Sequence, residues 1–187
     1  MRVVAGTARS ILLETPAGLD TRPTTDRIKE TLFNMIQAYC PGATVLDLFA
    51  GSGGLGIEAL SRGANYACFA DQDRKAIKCI TGNVERTKFT DRSDIYQSDY
   101  QNTILRLKNS DRKFDLVFLD PPYGKELEFK ALEALKNADL LADDVLVVVE
   151  AKKEHDPSGF AALGFDIKKQ KIYKTNQHYF LIKHSEQ

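Results

Sequence analysis

The sequence predicts an α/β chain with a doubly wound, mostly parallel sheet that closes on an antiparallel hairpin. Three observations predict it. From residue 44 onward, short and nearly continuous apolar runs alternate with helical patterns, as when strands covered on both faces alternate with crossover helices. A glycine loop, Asp47-Leu48-Phe49-Ala50-Gly51-Ser52-Gly53-Gly54-Leu55-Gly56, leaves the first of those runs and enters a helical pattern. After Glu150 the alternation stops, and two strand-like runs are joined by Lys174-Thr175-Asn176, a hairpin rather than another crossover.

Residues 1–40 read as an extension. Val3-Val4-Ala5 and Ile11-Leu12-Leu13 pair as a short hairpin. Asp20-Thr21-Arg22-Pro23-Thr24-Thr25-Asp26-Arg27 then leads into a helix with Ile28, Leu32, Met35, Ile36 and Tyr39 on one face. Thr24 or Thr25 supplies the N-cap, Asp26 suits the first-turn dipole, and Pro41-Gly42 ends the helix. In the core, 41–187, strands are expected over Thr44–Leu48, Tyr66–Ala70, Asp94–Gln97, Phe114–Leu119 and Val145–Val149. Helices are expected near Gly54–Arg62, Arg74–Thr87, Tyr100–Asn109 and Lys125–Asn137, and the hairpin over Phe165–Tyr173 and Gln177–Lys183. Extension and core together make one domain, 1–187.

Composition sets limits rather than function. A hydrophobic content of 43% and a charged content of 28% are those of an ordinary globular chain, here of 187 residues. Lys plus Arg and Asp plus Glu are each 26, so any attraction to nucleic acid must come from local charge. Cys40, Cys68 and Cys79 lack C-x-x-C spacing and read as buried free thiols in a reducing compartment, with no zinc or other metal site. Without a long apolar run, neither a signal peptide nor a membrane span is expected, and the location expected is the cytoplasm.

Gly51, Gly53 and Gly56 satisfy G-x-G-x-x-G between a strand and a helix, so the bland alternative of a bare turn competes with a nucleotide-like ligand. Asp47 chooses among ligands. A carboxylate beside the loop repels the pyrophosphate of NAD or FAD, whereas S-adenosylmethionine presents an ammonium and a sulfonium and no phosphate. Asp47 is expected to reach the ammonium, and the helix N-terminus to favour the ligand's carboxylate. Asp71 ends the second strand, where an acid accepts both ribose hydroxyls; Asp73, two residues on, competes for that role or caps the next helix. Asp99 either accepts from the adenine amine or caps a helix, and Tyr100 or Phe49 packs on the adenine face.

Asp120-Pro121-Pro122-Tyr123 closes the apolar strand before it. Two prolines hold the backbone extended and remove both N–H donors, leaving carbonyl acceptors. That set matches an exocyclic amine, whose lone pair is delocalised into its ring. Hydrogen bonds accepted by Asp120 and the Pro121 carbonyl would orient it and stabilise developing positive charge, and Tyr123 offers the base a flat surface. The bland alternative is a rigid turn with a buried tyrosine.

With both loops in hand, the chain resembles class I S-adenosylmethionine-dependent methyltransferases that act on exocyclic amines of bases. Within them, Arg22-Pro23-Thr24-Thr25-Asp26-Arg27, Phe33-Asn34, Asp47 to Gly53, Leu60-Ser61-Arg62-Gly63 and Asp73-Arg74-Lys75-Ala76 look like the bacterial family that methylates N2 of a guanine in small-subunit (16S) ribosomal RNA. The resemblance implies a Rossmann-like methyltransferase fold. Asp47, Phe49, Ala50, Gly51, Ser52, Gly53, Asp71, Asp99 and Tyr100 would hold the cofactor, and Asp120, Pro121, Pro122 and Tyr123 the guanine. That family's first hairpin usually carries an Arg-Gly-Arg-Lys-like run; here it reads Ala8-Arg9-Ser10-Ile11-Leu12-Leu13.

The expected partner is ribosomal RNA or a small-subunit assembly particle, bound by a monomer. Arg9, Arg22, Thr24 and Arg27, with Arg2, form the favoured RNA-binding set; Lys168, Lys169, Lys171, Lys174, Lys183, His178 and His184 form a second basic group, which ordinary solvated strands explain equally well. His155 reads as an exposed loop residue. The competing functions are a DNA adenine-N6 or cytosine-N4 methyltransferase, against which the absence of a separate target-reading region argues, and a non-catalytic RNA-binding assembly factor.

Overall fold

The computed structural model describes residues 1–17 and 25–184. Along the chain lie α1 (Asp26–Ile36), β1 (Thr44–Asp47), α2 (Gly54–Ser61), β2 (Tyr66–Asp71), α3 (Arg74–Arg86), β3 (Ser93–Gln97), α4 (Tyr100–Lys108), β4 (Phe114–Leu119), α5 (Leu127–Asn137), β5 (Leu141–Lys152), α6 (Ser158–Ala162), β6 (Phe165–Ile172) and β7 (Asn176–Lys183). The strands form one sheet in the order β3-β2-β1-β4-β5-β7-β6; the first five are parallel, and β7 runs antiparallel to both β5 and β6. The strand order reverses between β1 and β4, so loops leaving their carboxyl ends diverge and open a crevice there.

Side-chain alternation sorts the core into two layers. Val45, Phe69, Leu116, Phe118 and Val148 face α1, α2, α3 and the N-terminal residues Val3, Ala8 and Leu13. Leu46, Cys68, Val117, Leu119, Val147 and Val149 face α4, α5 and α6. The edge strand β6 buries only Phe165 and exposes Lys168, Lys169 and Lys171, charge that discourages pairing with another chain.

Several expectations change. The N-terminal hairpin shrinks to a single antiparallel bridge, Arg2 with Leu12, because the Val4 and Ala5 N–H groups turn to Glu58 of α2, at 2.8 and 3.0 Å, rather than to a partner strand. Strand β5 outruns its apolar core at both ends: Leu141 pairs with Phe114, and Glu150, Ala151 and Lys152 pair with β7. The short α6 was hidden by its single turn. His155 is enclosed instead of exposed, packed among Phe129, Phe160 and Tyr179 and 2.9 Å from Glu128. His178 is buried against Glu150 and adds nothing to a basic surface. Cys40 and Cys68 are buried, and burial pushes both thiols up to about 11; Cys79 is only partly covered. Thr25 is the cap of α1, accepting from the Ile28 N–H at 3.3 Å. Arg22 and Thr24 lie outside the described residues. Among the described residues no helix is long and apolar enough to cross a membrane.

Gly56 permits the close approach of α2 to β2, since a Cβ there would lie 2.4 Å from the Phe69 ring. Gly56→Ala is therefore expected to cost about 1–3 kcal/mol through overpacking, read as a lowered midpoint in chemical denaturation.

Candidate active site

Each parallel strand but one carries an acid at the same sheet edge: Asp47 ends β1, Asp71 ends β2, Asp120 follows β4, and Glu150 stands two residues before the end of β5, with Gln97 ending β3. Residues in register share that edge, Asp47 with Phe69 and Phe118, Asp71 with Gln97. The glycine loop and the Asp-Pro-Pro-Tyr loop thus leave adjacent strands across the point where strand order reverses.

Two carboxylates brace the glycine loop. Asp71 Oδ2 accepts from the Gly51 N–H at 2.9 Å and its Oδ1 from Asp73 N–H at 2.9 Å. Asp47 Oδ2 accepts from the Gly56 N–H at 3.1 Å, in the first turn of α2. Each carboxylate oxygen retains capacity for a further donor. Gly53 takes φ 77°, a left-handed conformation that closes the turn into α2, and its N–H donates to Ala50 at 2.7 Å. Ala50 and Ser52 are buried within the loop. Phe49 and Tyr100 approach with ring centroids 6.0 Å apart, forming one aromatic wall. Asp99 caps α4, accepting from the Asn102 N–H at 2.8 Å, and Asp73 caps α3. The cap reading of both acids is what the structure displays.

Asp47 is 2% exposed, and burial, with a further push from Asp71, raises its carboxyl to about 7 against the Gly56 hydrogen bond. Asp120 is held well above the usual carboxylate range, by burial first and then by Glu150 and Asp47; no described residue donates a hydrogen bond to it. Pro121 is buried and Pro122 exposed. Tyr123, 43% exposed, is not the buried tyrosine of a plain turn; its hydroxyl donates to Glu150 Oε1 at 3.1 Å, and Lys152 Nζ lies 5.7 Å over its ring. Burial and the Glu150 charge push its phenol up.

Arg9 and Arg27 meet elsewhere, with Arg2, Asp26 and Glu30 around a cleft of about 520 Å³ between the N-terminal segment and α1. None of its lining residues belongs to the strand edge. Lys168, Lys169, Lys171 and Lys174 stay exposed, whereas Lys183 and His184 are paired with Asp143 and Asp166.

Three contributors escaped sequence reasoning. Asn83 of α3 donates to the Ser52 carbonyl at 2.9 Å and to the Glu14 carbonyl at 2.8 Å, tying the glycine loop to the N-terminal segment. Its signal was a polar residue on the buried face set by Ala76, Ile80 and Val84. Glu150 followed an apolar run just as Asp47, Asp71 and Asp120 do. His178 reads from sequence only as part of the second basic group, not as a partner of the site.

The family described as "Conserved hypothetical protein 95" matches residues 1–182. The chain belongs to this family. Its relatives include YlbH of Bacillus subtilis (strain 168), named provisionally as an rRNA methyltransferase, 43% identical over 82% of this chain and 84% of the relative. "Ribosomal RNA small subunit methyltransferase D" of Escherichia coli (strain K12) is 35% identical over 83% of this chain and 76% of its own. A solved Escherichia coli structure, provisionally described as the methyltransferase yhhF, superposes with TM-score 0.84 at 29% identity, covering 100% of this chain and 99% of that one. This member of the Conserved hypothetical protein 95 family therefore has the class I methyltransferase fold, and S-adenosylmethionine is its methyl donor. The acids at the glycine-loop end of the sheet fit that donor: Asp47 and Asp71 put carboxylates beside the loop, which suits an ammonium and a sulfonium and opposes a pyrophosphate.

With Asp47 as the partner of the donor's ammonium, as its position suggests, donor binding should depend on pH. A cationic ligand favours ionised Asp47, so affinity is expected to rise as pH climbs through about 7, with proton release near that pH. Folding has the opposite sign. The raised carboxyl binds more protons folded than unfolded, so its ionisation costs stability as pH rises from the ordinary carboxylate range through about 7. Asp47→Asn should weaken donor binding, flatten its share of the pH dependence in calorimetry, and stabilise the protein at pH 8 by on the order of 2 kcal/mol.

Proposed function

We propose that the protein transfers the methyl group of S-adenosylmethionine to the exocyclic N2 amine of a guanine in small-subunit (16S) ribosomal RNA. One observation carries the reading: the carboxyl of Asp120 and the flat face of Tyr123 leave β4 beside β1, which carries the glycine loop. The names of the Escherichia coli and Haemophilus influenzae relatives, both "Ribosomal RNA small subunit methyltransferase D", support ribosomal RNA as the substrate.

When bound, the donor supplies an electrophilic methyl carbon on a sulfonium. The protein's task is to aim a weak nucleophile at it. Asp120 and the Pro121 carbonyl accept the two amine hydrogens and turn the nitrogen lone pair out of ring conjugation. Asp120 would stabilise the positive charge that develops on the amine nitrogen as it takes the methyl group, and would accept the proton that nitrogen then loses. Tyr123 would stack on the base, Asp47 and Asp71 would hold the donor's ammonium and ribose, Asp99 its adenine amine, and Phe49 and Tyr100 the adenine face. Arg9 and Arg27, with Arg22 and Thr24 of the neighbouring segment, contact RNA phosphates.

The test is methyl incorporation from labelled donor into unmethylated small-subunit RNA, offered both naked and as an assembled particle, followed by nucleoside analysis. N2-methylguanosine is the expected product. N6-methyladenosine, or donor binding without turnover on either substrate, would refute the reading.

A further inference from the structure

We propose that Glu150 is a positioning residue of the methyl-transfer site, holding Tyr123 as the wall of the base pocket and making Asp120 a stronger acceptor for the target amine. The inference rests on reading the Asp-Pro-Pro-Tyr loop as that pocket. Strand register supplies its first support: Leu119 pairs with Val149, so Asp120 and Glu150 follow side by side on parallel neighbours. The second is the set of donors that Glu150 collects. Its Oε1 accepts from Tyr123 Oη at 3.1 Å and from Asn176 Nδ2 at 2.9 Å, and its Oε2 pairs with His178 Nε2 at 3.2 Å. Asn176 and His178 belong to β7, so the closing hairpin anchors an acid that reaches across to the base loop.

Other charged and titratable groups complete the surroundings. Asp47 faces Asp120 from β1, Tyr123 lies within its own loop, and Lys152 sits over the Tyr123 ring. Tyr173 closes on His178, ring centroids 5.1 Å apart.

Of two adjacent enclosed carboxyls, the one given donors keeps its charge, and the one without them bears the repulsion. Burial disfavours ionised Glu150, but His178, then Asn176 and Tyr123, outweigh it and hold the acid below its ordinary range. Asp120 moves the other way. Once ionised, a carboxyl that holds its proton more tightly is also the more basic acceptor, and hydrogen-bonding to a developing ammonium strengthens with basicity. Glu150 thereby links the geometry of Tyr123 to the proton affinity of Asp120.

The test uses the full-length protein and two readouts: methyl transfer to small-subunit RNA across pH, and carbon-13 NMR titration of the Asp120 carboxyl, which needs no turnover. Glu150→Gln removes the charge but keeps an oxygen for the Tyr123 hydroxyl. In it, the Asp120 titration and the acid limb of kcat should move together to lower pH, with the plateau kcat reduced roughly tenfold. Tyr123→Phe leaves the charge in place; RNA KM should rise roughly fivefold for the lost anchor, with the Asp120 titration where the wild type has it. Glu150→Asp, which restores the charge, should return the acid limb toward its wild-type position, and it serves if the glutamine variant folds poorly. An Asp120 titration that ignores Glu150→Gln overturns the electrostatic half, and an unchanged RNA KM in Tyr123→Phe overturns the positioning half. A titration that moves while methyl transfer stays as in the wild type overturns instead the base-pocket reading beneath them.

Discussion

Replacing Asp120 with alanine is expected to lower kcat for methyl transfer by about 10²–10³-fold, the scale seen when one preorganised partner of a developing charge is removed. The amine would keep only the Pro121 carbonyl as acceptor, so its orientation and the stabilisation of its charge both suffer. Stability should move the other way. Because the folded protein raises the Asp120 carboxyl, its ionisation opposes folding above the ordinary carboxylate range, and deleting it relieves Asp47 and Glu150 as well. An inactive variant with an equal or higher Tm at pH 8 therefore marks a catalytic loss, not a folding defect. Asp120→Asn keeps one acceptor oxygen but neither the charge nor the proton acceptor, so its loss should approach that of the alanine variant. Alanine-variant activity equal to wild type would remove Asp120 from the chemistry.

The largest stability effect is expected at Glu58, far from the base loop. Its carboxylate accepts from the Val4 and Ala5 N–H groups, from Arg62 Nε at 2.9 Å, and lies 3.4 Å from Lys29 Nζ, with both the Lys29 and Glu58 side chains fully enclosed. Burial lowers the Lys29 pKa even with Glu58 beside it. Glu58→Ala leaves a buried ammonium without its counter-ion, held only by the Arg2 carbonyl, and two backbone donors unpaired, which costs about 3–5 kcal/mol and lowers Tm by on the order of 10 °C. Lys29→Met should cost much less, since Glu58 keeps Arg62 and both N–H groups. The contrast, read by chemical denaturation, separates an uncompensated charge from simple loss of packing. Equal effects would contradict the view that Glu58 anchors the N-terminal segment.

What the sequence made legible was whatever has a local rule. The central strands show as short runs, and their ends agree with the structure within one residue for β1 to β4; β1, β2 and β4 are marked by their buried apolar residues, whereas β3 is only partly covered. Strand β5 violates that rule: Ala142, Asp143 and Asp144 carry little burial, and its last residues are held by β7 alone, a pairing no local pattern announces. The strand-end acids and the proline-stiffened loop were visible because their chemistry is written in consecutive residues. Asn83, Glu58 and Lys29 were not. Each is a polar side chain on a face that periodicity assigns to the core, and each is satisfied by partners distant in sequence, such as Glu14 for Asn83 and Val4 for Glu58. His155 was misjudged for the same reason, since its aromatic enclosure comes from α5, α6 and β7.

The most direct test is a crystal structure of the protein with S-adenosylmethionine. The donor should lie over residues 47–53, its ammonium toward Asp47, its ribose toward Asp71, and its methyl carbon directed at the space between Asp120 and Tyr123. A donor seated elsewhere, or with its methyl turned away from Asp120, would contradict the assignment of the strand edge as the methyl-transfer site.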